Sequence, residues 1–267
     1  MSNLIRYVLY RDADRQYKFA SVDRLLRPED HKRVYVHRNH SFHIGDVCDL
    51  EFMTRVVNIE QPDIIVNAVG PDHSPLNDGM RNVVNAALTL KHLAHPAKVI
   101  QIRPDSALCP GDTSRAGWNY IGRMAVGNGG IELSLPRCFG MRDQHGQVAG
   151  MLRVLLSTED HKSGPTFPKE KGDWAYAEDV ASMIWFLIEK RAEGSFTMPS
   201  IGCASPYQIA RIIDDTLDLN MYPPSEHCST KVDSTYPEGW EPDSDSLEQA
   251  LTKTVKWFHM NRWALER

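Results

Sequence analysis

Three short apolar runs, each closed by a polar or turn-forming residue, constrain the fold of this chain most. They are Asp63–Ala68, Lys98–Arg103 (KVIQIR) and Ile131–Pro136 (IELSLP). Runs of this kind are typical of strands that are covered on both faces. The intervals between them suit the helical, right-handed crossovers that parallel strands require. The pattern therefore predicts an α/β fold around a parallel sheet, with ligands beyond the carboxyl ends of the strands.

Helical periodicity fills the intervals between these strands. The first predicted helix is amphipathic and spans residues 3–11, with Leu4, Ile5, Val8 and Leu9 at helical spacing. Further helices are predicted at 49–60, 76–94, 119–128, 147–158, 177–190, 206–217 and 246–262. Short strands are predicted at 17–22, 41–44 and 195–198, and loops at 161–175 and 220–246.

Composition and charge exclude several classes of function. The chain has 267 residues and a net charge of −5, which gives no support for a nucleic-acid surface or a polybasic membrane surface. The 11 histidines never adopt a two-histidine-plus-acid ligand spacing, so we expect no metal site. The 5 cysteines include no CxxC pair and are odd in number, which favours neither a zinc site nor a disulfide framework.

The location of the protein is predicted from what the sequence lacks. The N-terminal residues have no basic segment followed by a long apolar core, so no secretory signal is indicated. No run approaches the roughly 18 apolar residues of a membrane span. We therefore expect a soluble protein, either intracellular or part of a larger assembly.

Four segments resemble extended short-chain dehydrogenase/reductases that act on nucleotide sugars, closest to the dTDP-glucose 4,6-dehydratase type. The segments are Gly45–Leu50 (GDVCDL), Gln61–Ala68 (QPDIIVNA), Asp173–Ala181 (DWAYAEDVA), and Gly239–Pro242 (GWEP) with Leu251–Phe258 (LTKTVKWF). They follow the family's order near its spacing. The resemblance implies a Rossmann-like, doubly wound parallel sheet that binds NAD, with a small α+β C-terminal lobe for the sugar nucleotide. We expect a domain over residues 1–145 and a lobe over 146–267 that contributes back to the first domain.

The chain departs from this family at the cofactor's phosphate loop. Family members open with a strand and GxxGxxG, whose backbone N–H groups approach the pyrophosphate at a helix N-terminus. This chain begins with Ser2–Tyr7 (SNLIRY), which resembles the helix after those glycines. The expectation is a fold that lacks the first strand and the glycine-rich loop. Gly127–Gly130 (GNGG) follows a helix, so we interpret it as a helix-to-strand turn.

The family's catalytic Tyr-x-x-x-Lys is also altered. In that pair the lysine lowers the tyrosine pKa, so that the phenol can transfer a proton at neutral pH. The matching residues are Tyr120 and Met124, and none of the 9 tyrosines is followed four residues later by lysine. Arg123 is one residue early, about 100° around the helix. We therefore predict Tyr120 to be a packed aromatic and only a remnant of a catalytic residue.

Two further family positions carry other residues. The dehydratase Thr-Asp-Glu is Pro104-Asp105-Ser106 here, so the hydroxyl and the second carboxylate are lost and Asp105 remains as a catalytic remnant. The arginine that the family places against the nucleotide diphosphate is Gly172, and the adjacent Lys171 lacks bidentate geometry.

Two carboxylates remain at cofactor positions of the family. Asp23 ends a predicted strand at a ribose-hydroxyl position, and Asp46 occupies an adenine-edge position. Both are also ordinary turn residues. They are the remnants of a cofactor site, and no bound cofactor is expected.

Three hypotheses of function remain. The first is a catalytically degenerate dehydratase-like protein that acts as a structural or protein-interaction subunit, because the losses coincide while the core pattern persists. The second is an active or partner-complemented NAD-dependent nucleotide-sugar dehydratase or epimerase. The third is a nucleotide-binding sensor that uses Asp23 and Asp46.

The expected loss of a central strand also bears on partners. It would leave neighbouring strands unpaired and expose an edge or a gap in the sheet. Another segment, the repacked first helix, or a partner chain could cover that edge. We expect a protein partner or a homo-oligomer, and neither nucleic acid nor membrane. Residues 220–246 are either a second interface or a surface loop.

Overall fold

A computed structural model describes most of the chain. The described residues are Leu4, Val8, 17–24, 36–69, 78–89, 97–104, 112–143, 146–157, 164–222, 237–244 and 246–265. Their contacts divide the chain into two compact units. Unit 1 comprises residues 1–135 and 184–197, and unit 2 comprises residues 136–183 and 198–267. The boundary that we predict at 145/146 stays a prediction.

Unit 1 alternates strands and helices. Its elements are β1 (Phe19–Asp23), β2 (His40–Ile44), α1 (Leu50–Glu60), β3 (Ile64–Asn67), α2 (Asp78–Thr89), β4 (Lys98–Pro104), α3 (Asp112–Gly127), β5 (Ile131–Leu135) and β8 (Gly194–Thr197). Helix α5 (Ala177–Glu189) has residues in both units. Leu4 and Val8 are helical and buried, in agreement with the predicted first helix.

The strands of unit 1 form two parallel groups. β1 pairs with β2, with Phe19 opposite His40, and β3, β4, β5 and β8 pair in that order. All ladders in these two groups are parallel. The α/β fold with a parallel sheet is therefore confirmed.

Local sequence explains where α1 begins and ends. Asp49 caps it, because its side chain accepts a hydrogen bond from the backbone N–H of Phe52. At the other end Gln61 adopts a left-handed conformation with φ of 43°, and its N–H bonds to the carbonyl of Val57. Met53, Val56 and Val57 are buried on one face of α1.

Two apolar clusters hold helices in unit 1. Met53 and Val57 of α1 meet Val83 and Ala86 of α2. A second cluster joins α2, β4 and α3 through Val84, Ala87, Val99, Trp118, Ile121 and Ala125. Lys98 also binds the chain that follows α5, since its Nζ donates to the carbonyl of Ala192 at 3.0 Å and contacts Glu193 at 3.3 Å.

Unit 2 contains a small mixed sheet with helices. Its elements are β6 (Arg137–Phe139), α4 (Gln147–Ser157), β7 (Gly172–Tyr176), β9 (Gly202–Ala204), α6 (Pro206–Leu217), α7 (Leu247–Met260) and a 3₁₀ turn at Arg262–Ala264. β7 is central, parallel to β6 and antiparallel to β9. Helix α6 starts with a capping box between Ser205 and Gln208. One apolar core contains the aromatic side chains Phe139, Trp174, Tyr176 and Phe258.

The sequence pattern misses the sheet of unit 2. Residues 172–175 are predicted as loop but belong to β7, and no strand is predicted at β6 or β9. β6 and β9 have three residues each, too few to establish a period, and they are defined by pairing with distant segments. The predicted loop over 220–246 falls largely outside the described residues, and 237–244 are irregular.

A buried polar contact fixes residues 240–243 against α5. Trp240 Nε1 donates to Ser182 Oγ at 2.9 Å, and the N–H of Asp243 donates to Asp179 Oδ1 at 2.9 Å. Asp179 is fully buried, and its Oδ2 has no hydrogen-bond partner in the described part of the chain. Burial raises the pKa of Asp179 to about 6, partly offset by the N–H of Asp243.

Among the described residues, no helix combines the length and the apolar character needed to cross a membrane.

Asp179 makes the stability of the protein depend on pH. Its folded-state pKa of about 6 exceeds its ordinary value of 3.8, so the folded protein holds the proton more tightly. The destabilising effect of this group therefore grows as pH rises from about 4 to about 6, and it reaches roughly 3 kcal/mol. We predict that Asp179→Asn raises the free energy of unfolding at pH 7 by about 1–3 kcal/mol and changes it little at pH 4. Urea denaturation at both pH values measures this.

The exposed Asp215 on α6 supplies the control, because Asp215→Asn should change stability by less than about 0.5 kcal/mol. The charge of Asp179 also acts on the neighbouring groups Asp243, Tyr176 and Cys138. An Asp179→Asn variant that is less stable at pH 7 and equally so at pH 4 would contradict the prediction.

Candidate functional site

Four polar residues form a row across the four-stranded sheet of unit 1. Asn67 lies opposite Gln101, Gln101 opposite Glu132, and Glu132 opposite Ser195. We call Asn67, Gln101, Glu132 and Ser195 the polar row. Asn67 and Gln101 are 1% and 0% exposed, although strands covered on both faces usually carry apolar side chains. The row runs from the last residue of β3 to the second residues of β5 and β8, so Asn67 lies at the carboxyl end of its strand and the other three residues lie within theirs.

Hydrogen bonds occupy several of the side-chain donors and acceptors of the polar row. Asn67 Nδ2 donates to Gln101 Oε1 at 2.7 Å, and Ser195 Oγ donates to Glu132 Oε2 at 3.0 Å. Arg103, two residues further along β4, donates from Nε to Glu132 Oε1 at 2.8 Å. The Arg103 and Glu132 side chains are 20% and 11% exposed. The guanidinium of Arg103, near the end of β4, is thus paired with a neighbouring carboxylate.

Helix α3 packs closely over this ion pair. A Cβ at Gly122 would collide with the carboxylate of Glu132, so glycine lets the helix approach the sheet without displacing that carboxylate. The sequence gives a signal for the row, namely Gln101 and Glu132 within apolar runs, but sequence reasoning did not identify it as a site.

Tyr120 on α3 is not packed as predicted. Its side chain is 55% exposed, because the helix turns Trp118, Ile121 and Ala125 toward the core instead. Met124 is partly buried and packs against that core cluster. The position that the resemblance assigns to a catalytic lysine therefore contributes an apolar contact.

The other catalytic remnant is not described. Asp105 lies outside the described residues, as do Gly70 and Ser106. Pro104 is the last residue of β4 and lies opposite Leu135 of β5.

The cofactor remnants Asp23 and Asp46 are brought together at the carboxyl ends of β1 and β2. The N–H of Gly45 donates to the carbonyl of Asp23 at 3.1 Å, and Arg24 Nη1 lies 3.3 Å from Asp46 Oδ2. Both carboxylates also accept local backbone N–H bonds, Asp23 from Arg24 and Asp46 from Cys48. Such bonds are typical of turn residues, and both side chains stay accessible.

In unit 2, Arg137 occupies the space beside Gly172. A Cβ at position 172 would collide with the guanidinium of Arg137, which lies over the Trp174 ring at 5.8 Å from the centroid. Arg137 Nη1 is buried and has no hydrogen-bond partner among the described residues. Lys171 is exposed. The neighbouring strand position thus supplies an arginine, but one whose Nη1 is inaccessible to a ligand.

The two described cysteines of unit 2, Cys138 and Cys203, show no sign of activation. Burial raises the pKa of Cys138 to about 12, and burial with the adjacent Asp173 raises the pKa of Cys203. A raised pKa disfavours the nucleophilic thiolate. Within the described ranges, no group of three or more His, Cys, Asp or Glu residues could hold a metal ion.

The polar row is predicted to act as a coupled unit in stability. Asn67→Leu leaves the buried Gln101 Oε1 without its donor, so we expect a loss of about 1–3 kcal/mol in the free energy of unfolding. Adding Gln101→Leu removes the orphaned acceptor and should recover part of this loss. Urea denaturation of both single variants and the double variant gives the coupling energy.

Ser41→Ala, at an exposed strand position, is the control and should be near neutral. If the loss of stability in the double variant equals the sum of the losses in the two single variants, Asn67 and Gln101 do not depend on each other.

Comparisons with known proteins place this architecture among solved structures. No family model matches the chain, and no curated protein matches it. Three similar structures are the following. The Bordetella bronchiseptica enzyme WbmH in complex with NAD+ is 16% identical, with TM-score 0.74, covering 97% of this chain and 94% of that one. The dTDP-glucose 4,6-dehydratase from Bacillus anthracis in complex with NAD is 18% identical, with TM-score 0.75, covering 99% and 96%. The UDP-glucose 4-epimerase from Thermotoga maritima with UDP-glucose is 18% identical, with TM-score 0.70, covering 98% and 96%. At these identities the likeness shows that the chain has the Rossmann-like α/β fold of those proteins.

Proposed function

We propose that this chain is a catalytically inactive relative of nucleotide-sugar dehydratases and epimerases that acts as a structural or protein-interaction subunit. The observation that carries the proposal is Met124, four residues after Tyr120 and packed into the apolar cluster of α3. A methionine supplies neither a hydrogen-bond donor nor a positive charge. Tyr120 therefore lacks the neighbouring cation that would stabilise its phenolate during proton transfer.

The polar groups near the sheet support the same proposal. Arg103 and Glu132 bind each other, and Glu132 also accepts from Ser195. A reacting group must face the substrate with donors that are not already used. These side chains instead stabilise the sheet, and Pro104 brings no hydroxyl to the end of β4.

The position of the diphosphate arginine gives further support. Gly172 has no side chain, and Arg137 fills the adjacent volume while it stacks on Trp174. Its Nη1 is buried, so that nitrogen is not available to a phosphate, whereas arginine is most effective in such sites when it forms two parallel bonds.

A second candidate function, nucleotide binding without catalysis, is favoured by one observation. Asp23 and Asp46 lie together at the ends of β1 and β2, joined by the Gly45 N–H bond and by Arg24. Carboxylates there could accept hydroxyl or amino hydrogens of an adenosine nucleotide. Stabilisation of the chain by a nucleotide in a thermal-shift screen, without turnover, is the outcome that this candidate requires.

The cofactor test is isothermal titration calorimetry of the full chain with NAD and NADH. We predict no saturable binding in the micromolar range, and no turnover with dTDP-, UDP- or GDP-sugars in an NADH absorbance assay. Micromolar affinity for either dinucleotide would overturn the inactive assignment and favour an NAD-dependent enzyme.

Met124→Lys tests the central observation directly. A lysine in the apolar cluster should cost about 1–3 kcal/mol of stability, whereas the matched Met124→Leu should cost less than about 1.5 kcal/mol. We expect no turnover from either variant, because the other groups are also changed. Activity gained by Met124→Lys would show that the remaining site is intact and would contradict the proposal.

A further inference from the structure

The two strand groups of unit 1 each end at an unpaired edge near the same helices. Within the described chain β1 pairs only with β2, and β3 pairs only with β4 among its neighbours. Val22 of β1 and Ile65 of β3 nevertheless pack against one cluster, formed by Met53, Val57, Val83 and Ala86. β1 and β3 thus lie under the same pair of helices, α1 and α2. In the described part of the chain no ladder joins the two strands.

The hydrogen bonds show which backbone groups lie on these edges. The N–H of Phe19 bonds to Asn39 on the β2 side, and the carbonyl of Asp63 accepts from Lys98 on the β4 side. In a parallel strand, successive residues direct their N–H and C=O groups to opposite sides. The backbone N–H and C=O groups of Ala20 and Val22 therefore point away from β2, and those of Ile64 and Val66 point away from β4. These four residues define what we call the strand slot.

Burial is consistent with a missing neighbour at β3. Ile64, Ile65 and Val66 are all apolar, yet each is only partly buried. In the interior strands β4 and β5, Ile100, Ile131 and Leu133 are 0% exposed. In the described part of the chain no strand pairs with the free side of β3, and an apolar edge of this kind is a template for another strand.

We propose that the strand slot binds an extended segment of a partner protein, which inserts between β1 and β3 as a parallel strand. Helix α1 connects the end of β2 to the start of β3, which is the crossover that parallel strands require. β1 and β3 therefore run in the same direction, and an inserted strand parallel to both continues the sheet. The partner is a β-strand because the slot offers two rows of backbone groups that an extended chain satisfies together.

The slot also specifies the side chains of that segment. On the helix side, Met53, Val57, Val83 and Ala86 form a buried apolar cluster, so we expect every second residue of the segment to be apolar and β-branched. The carboxyl end carries Asp23 and Asp46 against Arg24, an excess of one negative charge. A lysine or arginine after the strand complements that charge. The inference rests on the proposed function, since it names the surface and partner of an interaction subunit.

Amide exchange of the full chain, followed by NMR, tests whether the slot is open. We expect the amides of Ala20, Val22, Ile64 and Val66 to exchange at least about 100-fold faster than those of Ser21 and Ile65, which bond within the sheets. The two sets lie on the same strands, so each strand contains its own control. Equal protection of both sets in a monomeric chain would overturn the proposal, because the chain itself would then fill the slot.

Binding is tested with a synthetic peptide of about nine residues, apolar and β-branched at alternate positions and ending in lysine. We expect saturable binding by fluorescence anisotropy and at least about 10-fold slower exchange of the four slot amides. The matched control is the same peptide with a central proline, which lacks the N–H for the ladder and should not bind. Absence of saturable binding, or equal binding of the proline peptide, would overturn the proposal.

The variant Ala20→Pro tests peptide binding by changing the protein instead of the peptide. It removes an N–H that faces the slot and leaves the bonds between β1 and β2 in place, so we expect at least about 10-fold weaker peptide binding. Ala20→Val retains the N–H and should bind as the unmodified chain does. Val66→Pro makes the same test on β3 if Ala20→Pro does not fold.

Two results separate this inference from neighbouring ones. Slot amides that become protected only at concentrations where the chain dimerises would assign the slot to a second copy and overturn the partner assignment. NADH binding by calorimetry bears on the proposed inactivity alone, whereas peptide binding and slot exchange bear on the slot alone.

Discussion

Hydrogen bonding of buried polar groups is the constraint on which unit 1 depends. Asn67 and Gln101 are almost fully buried within a parallel sheet, where an unsatisfied amide costs roughly 1–3 kcal/mol. Each meets that requirement through the other, and Glu132 does so through Arg103 and Ser195. The bonds fix the register of β3, β4, β5 and β8. Side chains held in this way stabilise the sheet and are not available to a substrate.

Burial on both faces of the sheet also explains which parts of the fold the sequence predicts. The runs at Ile64–Asn67, Lys98–Pro104 and Ile131–Leu135 are predicted to within two residues, because strands covered on both faces need a continuous apolar run. Helix α6 is predicted at its observed bounds, where Ser205 and Pro206 mark its start. β6 and β9 could not be predicted, because each gains its strand character only by pairing with β7.

The candidate site is less predictable than the fold because it depends on distances between elements. The family resemblance assigns Asp23 and Asp46 to one cofactor site, and the parallel pairing of β1 and β2 brings them to one edge. The sequence also suggests that Tyr120 is packed, whereas the helix directs its neighbours Trp118 and Ile121 inward and leaves Tyr120 exposed. The absence of a Cβ at Gly172 makes room for Arg137 to stack on Trp174. The sequence shows the glycine, but it does not show which side chain fills the space.

A catalytic residue and a neighbouring strand contribute differently to the stability of the fold. Met124 stands where the family resemblance implies a lysine, and it adds an apolar contact to the cluster of α3, so a methionine at this position does not weaken the fold. An unpaired strand edge has no such compensation, because backbone groups facing an apolar region must find partners or remain hydrated. The proposed absence of catalysis is therefore compatible with a stable core, whereas a strand edge that is unpaired in the described part of the chain calls for a partner strand. The strand slot is therefore the part of unit 1 where an interaction partner would contribute most to stability.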